Sequence, residues 1–118
     1  MTTRETIESY IQAVRARGAW DALLDDEVTF TSLASPNKVV SGKPAVVQGI
    51  KRFYSMMTEL SVNSLVVESD RAIALTHYRI QPPNGAPGFE SDVAEAFVVR
   101  DGKITEFSIC FDTAPYPK

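Results

Sequence analysis

The sequence predicts an α+β fold in which helices cover one face of a curved sheet, antiparallel or mixed. Three observations predict it. Apolar residues recur at helical spacing in the first half of the chain, at Ile7, Tyr10, Ile11 and Val14 and again at Val46, Val47, Ile50, Phe53, Tyr54 and Met57. After residue 60 the period changes to two, over four stretches rich in Val, Ile, Phe and Thr. Turn signals separate those stretches, so the strands follow one another as a meander, and the expected order is α-α-β-α-β-β-β-β.

Each element has a local reason. Thr2 and Glu5 have the spacing of a capping box at the start of the first helix, and Gly18 suits the position just past its end. A short second helix is expected over 19–24, carrying Trp20, Leu23 and Leu24. Asp25 and Asp26 end it, and a strand follows over 28–33. Ser35, Pro36 and Asn37 make a loop. Pro44 suits the first turn of the next helix, whose apolar stripe carries it to about Leu60. Gln48, Lys51, Arg52 and Ser55 take the opposite side. Strands are then expected over 62–68, 72–81, 89–100 and 103–111. The segment from Pro82 to Gly88 cannot be strand interior. Asp101-Gly102 is a two-residue hairpin signal. No repeat or linker interrupts the 118 residues, so a single domain over 1–118 is expected.

Composition narrows the function classes. Twelve Lys and Arg against fifteen Asp and Glu give a net charge of −3, which argues against a nucleic-acid backbone and against an anionic membrane surface as partners. No apolar run approaches the roughly 18 residues of a membrane span, and MTTRETIESY lacks the apolar core of a signal peptide. The lone cysteine, Cys110, excludes an internal disulfide and a multi-cysteine zinc site, so a reducing cytoplasm is the expected compartment. His77 is the single histidine, which excludes a histidine metal cluster. No serine stands at motif spacing to it, and no glycine-rich phosphate loop occurs. No cofactor is expected.

Alternation assigns side chains to faces within each strand. Ile73, Leu75, His77, Arg79 and Gln81 share one face; so do Val93, Glu95, Phe97 and Val99; so do Thr105, Phe107, Ile109 and Phe111. These sets are the candidate core faces. The opposite sets, Ala72, Ala74, Thr76 and Tyr78 with Ala94, Ala96 and Val98, are also apolar, so alternation alone does not choose between them. Two apolar faces with helices on one side point to a second copy of the chain covering the other, a homodimer through the outer sheet face. Cys110 falls on the face away from Phe107 and Phe111, as a small buried apolar residue. If the first sets face inward, His77, Arg79 and Glu95 converge on one apolar space. They form there either a structural ion-pair network or the polar groups of a ligand pocket.

The order of elements, with Ser9-Tyr10-Ile11-Gln12-Ala13, Leu24-Asp25-Asp26-Glu27-Val28, Gly42 with Phe53-Tyr54, and Asp101-Gly102-Lys103-Ile104, resembles the NTF2-like superfamily over nearly the whole chain. This is the cone-shaped, cystatin-like α+β fold of ketosteroid isomerases, SnoaL-like polyketide cyclases and limonene-epoxide-hydrolase-like proteins. The resemblance implies roles residue by residue. Tyr10 matches the isomerases' oxyanion-hole tyrosine on the first helix. Glu95, two residues before Phe97, matches their protonated oxyanion-hole acid. Their general base is an Asp just after the first strand, where this chain reads Thr31-Ser32-Leu33-Ala34 and offers no carboxylate. His77 and Arg79 stand where the isomerases have apolar pocket residues, and Phe107, Ile109 and Phe111 match pocket-lining positions.

The resemblance implies a small apolar ligand and a catalytic set of His77, Glu95 and Tyr10. His77 would serve as base, Glu95 would orient it or act as acid, and Tyr10 would donate to a developing enolate. Arg79, Trp20, Phe53, Phe97, Phe107, Ile109, Phe111 and Asp112 would contact the substrate. The expected activity is cofactor-independent proton transfer beside a carbonyl, of isomerase or cyclase type. The alternative is a non-catalytic NTF2-like module that binds a ligand or dimerises. Epoxide hydrolysis ranks lower, because it needs two carboxylates around a water and only Glu95 with Asp112 or Asp92 could serve.

Overall fold

The computed structural model describes residues 1–34 and 38–116, and the expected loop at Ser35, Pro36 and Asn37 lies outside them. Helix α1 spans Thr3–Arg15. Its capping box is complete: the Glu5 N–H donates to Thr2 Oγ1 (3.1 Å) and the Thr2 N–H to Glu5 Oε1 (2.9 Å). The helix ends in a Schellman pair, Gly18 N–H to the Ala13 carbonyl (2.8 Å) and Arg17 N–H to the Val14 carbonyl (3.1 Å). Here Arg17, and not Gly18, takes the left-handed conformation, with φ of 56°. That conformation costs an L-residue about 1 kcal/mol. The Arg17 guanidinium offsets it by donating to the Tyr54 carbonyl (3.3 Å) and to the Met57 carbonyl.

A single 3₁₀ turn, Trp20–Leu23, stands where a second helix was expected. Strand β1, Leu24–Ser32, begins earlier than its pattern suggests and includes Asp25 and Asp26, which therefore do not end a helix. The Asp25 carboxylate instead accepts from the Glu27 N–H (2.9 Å). Strand β2, Lys38–Ser41, is too short for alternation to reveal it. Helix α2, Lys43–Met56, stops short of Leu60. Met57 is extended and opens strand β3, Met57–Glu68, where it pairs with Ile80. Ladder hydrogen bonds there outweigh the helical spacing of Met57. Strands β4 (Arg71–Ile80), β5 (Phe89–Arg100) and β6 (Lys103–Phe111) complete the meander. The β5–β6 hairpin turns through Asp101 and Gly102, both at positive φ (52° and 71°), which keeps the strands in their natural twist.

The six strands form one open sheet in the order β2-β1-β6-β5-β4-β3. It is mixed, because β1 runs parallel to β6 while every other pair is antiparallel. Register shifts within β3, between Val98 and Val99 of β5, and in the β1–β6 pairing bend the strands, and the sheet curls around the helices. Helix α1 packs on β3, β4 and β5, and α2 on β1 and β2. Among the described residues no helix is long and apolar enough to cross a membrane.

Register decides the faces that alternation left open. Ala72, Ala74, Thr76, Tyr78 and Ile80 of β4 are all buried beneath α1. They stand beside Phe97, Glu95, Val93, Ser91 and Phe89 of β5. Ile73 and Leu75 point outward, 52% and 48% exposed, and Val66 beside Ile73 is 63% exposed. The expected inward placement of His77 and Arg79 is thus corrected, since both lie on the outer face with Ile73 and Leu75. The physical reason is helix approach. Alanine and threonine let α1 sit close to β4, so the larger aliphatics are displaced outward. Cys110 is exposed on the same outer face and is not buried as expected.

Candidate active site

A cavity of about 220 Å³ opens between α2 and the concave face of β1, β6 and β5. Phe53, Phe107, Ile109, Phe111 and Glu95 line it, as their positions suggested, and Ile50, Phe30 and Val93 add to its apolar wall. Its polar atoms come from Ser32, Tyr54, Tyr78, Glu95 and Tyr116.

Glu95 is the only Asp or Glu among the lining residues and is 4% exposed. Burial pushes its carboxyl up from 4.5 to about 7, against the lowering effect of hydrogen bonds from Tyr78 and Thr76. Tyr78 Oη donates to Glu95 Oε1 at 2.8 Å, across the register that sets Ala74 opposite Glu95. On the other side of the cavity the hydroxyls of Tyr10 (α1) and Tyr54 (α2) share a hydrogen bond of 2.7 Å. Burial holds the Tyr10, Tyr54 and Tyr78 phenols well above their ordinary value, and the Glu95 charge raises each further. They are neutral donors at any physiological pH. Among the described residues no buried side-chain nitrogen or oxygen lacks a hydrogen-bond partner.

The remaining expected residues divide by place. Tyr10 stands behind Tyr54 and does not itself line the cavity. Trp20 is half-buried outside it, edge-on to Tyr54 at 4.9 Å and to Tyr10 at 6.3 Å. Phe97 packs under the floor, against Phe107 at 4.6 Å and Tyr10 at 6.1 Å. Asp112 is exposed beyond β6, where its carboxylate accepts from the Ala114 N–H (3.0 Å). His77 is not near the cavity. Its Nδ1 bonds Asp92 Oδ1 at 2.7 Å and its Nε2 bonds Glu90 Oε1 at 2.9 Å, on the outer face. Those two hydrogen bonds, Asp92 first, raise its pKa and favour the imidazolium. Arg79 reaches Glu90 (3.4 Å) and Glu59 (3.9 Å) there. The network expected of His77, Arg79 and Glu95 is therefore split by the thickness of the sheet. Asp92, the other candidate partner for Glu95, lies with His77.

Sequence reasoning missed Tyr54, Tyr78, Ser32 and Tyr116 as site residues. In the sequence Tyr54 shows only as part of a helical stripe. Tyr78 was the one polar-tipped aromatic in the Ala-rich set of β4, a signal that this face ends at a cavity. Among the described residues no group of three or more His, Cys, Asp or Glu is arranged to hold a metal ion.

Comparison with known proteins agrees with this architecture. A family model described as a SnoaL-like domain matches residues 7–107. No functionally curated protein sequence matches the chain. Among solved structures, an NTF2-like protein of Burkholderia thailandensis is similar at a TM-score of 0.81 and 19% identity, over 96% of this chain and 92% of that one. A candidate isomerase of Bacillus subtilis is similar at 0.79 and 17% identity, over 93% and 86%. An epoxide hydrolase of Mycobacterium tuberculosis, of the LEH-like kind, is similar at 0.77 and 17% identity, over 94% and 83%. At these identities the likeness is one of fold.

Proposed function

The chain belongs to the SnoaL-like domain family, within the NTF2-like superfamily, and from that premise we propose that it is a cofactor-independent proton-transfer enzyme for a small apolar carbonyl compound. One observation carries this reading: Glu95 is buried in an apolar cavity wall, and burial raises its carboxyl to about 7. A carboxylate poised there can take a proton from the carbon next to a carbonyl and return it at another carbon, which isomerises the compound with no net change of protons. Either hydroxyl can donate in the Tyr10–Tyr54 hydrogen bond, and when Tyr10 donates the Tyr54 proton is free to meet the enolate oxygen formed in between. Tyr78 holds the Glu95 carboxylate in place.

This assigns Glu95 the part of the base that residues 31–34 do not supply. His77 has no part in it. Epoxide hydrolysis is less well supported, since Asp92 and Asp112 do not line the cavity and Glu95 is its sole carboxylate. The second reading, a ligand-binding module without turnover, is favoured by that same solitude: among the described lining residues there is no imidazole and no second carboxyl group beside Glu95. Deuterium exchange separates the two. Cyclic enones incubated with the protein in heavy water would gain deuterium next to the carbonyl, followed by NMR, and Glu95→Gln would abolish the gain. Enones that bind without exchanging would establish the binding module instead.

A further inference from the structure

Tyr116 lines the cavity, and among the described lining residues it is the one that belongs to neither a helix nor a strand. It reaches there from the C-terminal turn, in which its N–H donates to the Thr113 carbonyl (3.1 Å) after the Asp112 cap. Its ring lies 4.9 Å from Phe111 (β6), 4.9 Å from Phe89 (β5) and 6.5 Å from Phe53 (α2), the last in a stacked arrangement. Its hydroxyl donates to Ser91 Oγ at 2.9 Å, a buried residue on the concave face of β5. The ring thus joins three elements around the opening, and that one side-chain hydrogen bond fixes its tilt.

With Tyr116 in place the volume is about 220 Å³. A dry cavity of about 150 Å³ holds a benzene molecule, while pockets for drug-sized ligands begin at about 300 Å³. By proportion the cavity takes about nine non-hydrogen atoms, one substituted ring, which is fewer than a fused two-ring enone carries. The polar side chains of the wall are the phenols of Tyr54, Tyr78 and Tyr116, the Ser32 hydroxyl and the Glu95 carboxyl, and no Lys, Arg or His is among the described lining residues. An anionic ligand would be buried there with no cationic side chain to pair it, so a neutral one is favoured.

We propose that Tyr116 is the specificity-determining residue of this cavity, restricting it to neutral single-ring compounds with one oxygen function directed at Glu95 and Tyr54. The oxygen function rests on the proton-transfer reading, and the size limit does not.

Calorimetric titration with three probes tests it: cyclohexenone, a fused two-ring enone and a four-ring steroid enone. Wild type binds cyclohexenone most tightly and the steroid least. Tyr116→Ala shifts the ratio of two-ring to one-ring affinity by about tenfold or more toward the larger ligand. Tyr116→Phe keeps the ring, and so keeps the size order, while losing the Ser91 hydrogen bond; circular dichroism verifies that both variants are folded. The inference is overturned if wild type binds the steroid as tightly as cyclohexenone, if it binds none of the three, or if Tyr116→Ala leaves the ratio unchanged. If cyclohexenone binds in the expected order but gains no deuterium, the size limit stands and the proton-transfer reading falls.

Discussion

Glu90 and Glu95 sit five residues apart on β5 and therefore on opposite faces of it, and the sheet makes different groups of them. Glu90 is exposed, and hydrogen bonds from His77 and then Arg79 hold its carboxyl below the usual value. Glu95 is buried, and desolvation outweighs the hydroxyls that bond it, so its carboxyl rises to about 7. What differs is access to water and the kind of donor supplied. A phenol and a threonine satisfy the geometry of a buried carboxylate without neutralising its charge, whereas an imidazolium and a guanidinium do both. The concave face thus holds a carboxyl raised to about 7 by burial, and the convex face holds ionisable groups that meet opposite charges and water.

The largest expected effect breaks the contrast at its source. Glu95→Gln keeps the shape and removes the titration, and proton exchange into a bound enone falls by at least about 10²-fold. The same variant alters stability. Because the native carboxyl is raised from 4.5 to about 7, the folded chain retains a proton that the unfolded chain releases between those values. Stability therefore falls as pH rises through that window, by about 3 kcal/mol in all. Urea midpoints of wild type measured at about pH 5 and about pH 8 carry that slope, and those of Glu95→Gln lack it.

Tyr78→Phe sharpens the contrast. It removes the hydrogen bond that lowers the Glu95 carboxyl, so that group moves further up, which carboxyl NMR titration reads directly. The variant loses about 1–3 kcal/mol where Glu95 is ionised and less where it is protonated.

On the convex side, Val66, Ile73 and Leu75 form an apolar stripe beside charges of both signs at Glu59, Arg79, Glu90 and Asp92. A second copy related by a twofold axis would cover the stripe and let those charges pair reciprocally. Light scattering is expected to give twice the 13.0 kDa of the chain, and Leu75→Asp to halve it. A wild-type species of single mass would discard the dimer.

The smallest effect is expected for His77→Ala, which leaves proton exchange unchanged. The outer cluster still has a pH signature. Glu90, lowered, contributes above 4.5 and loses its contribution as pH falls through its folded value. His77, raised, contributes below 6.5 and loses its contribution as pH rises through its own folded value. Both are fully present between 4.5 and 6.5, so the outer cluster adds no slope of its own across most of the window in which the Glu95 contribution falls. Added salt weakens this contribution, since the pairs are exposed.

Much of the architecture was legible in the residues. The capping box at Thr2, the Asp101-Gly102 hairpin and the change of period after residue 60 each rest on local chemistry, and each locates an element. The cavity wall of β6 and the burial of Glu95 were legible too, because Val93, Phe97, Phe107, Ile109 and Phe111 surround that carboxyl with consistent parity. The inward side of β4 was not. Its larger aliphatics, Ile73 and Leu75, face outward, because the spacing of α1 over the sheet admits only small residues, and that spacing is a tertiary quantity. Parity also fails along β3, where a register shift between Val62 and Ser64 keeps Leu60 and Leu65 on one side although five residues separate them. Met57 shows the same limit, since its helical spacing is real but its partner Ile80 lies far along the chain.

Arg17 gives the two phenols at the back of the cavity a common reference frame. Its backbone closes α1, which carries Tyr10, and its guanidinium holds carbonyls at the end of α2, which carries Tyr54. The helices are thereby pinned to each other at one point, within a few residues of the Tyr54 ring. A ligand that displaces Tyr54 must shift both helices or break the pin, whereas one that displaces Tyr116 breaks a single side-chain hydrogen bond, to Ser91.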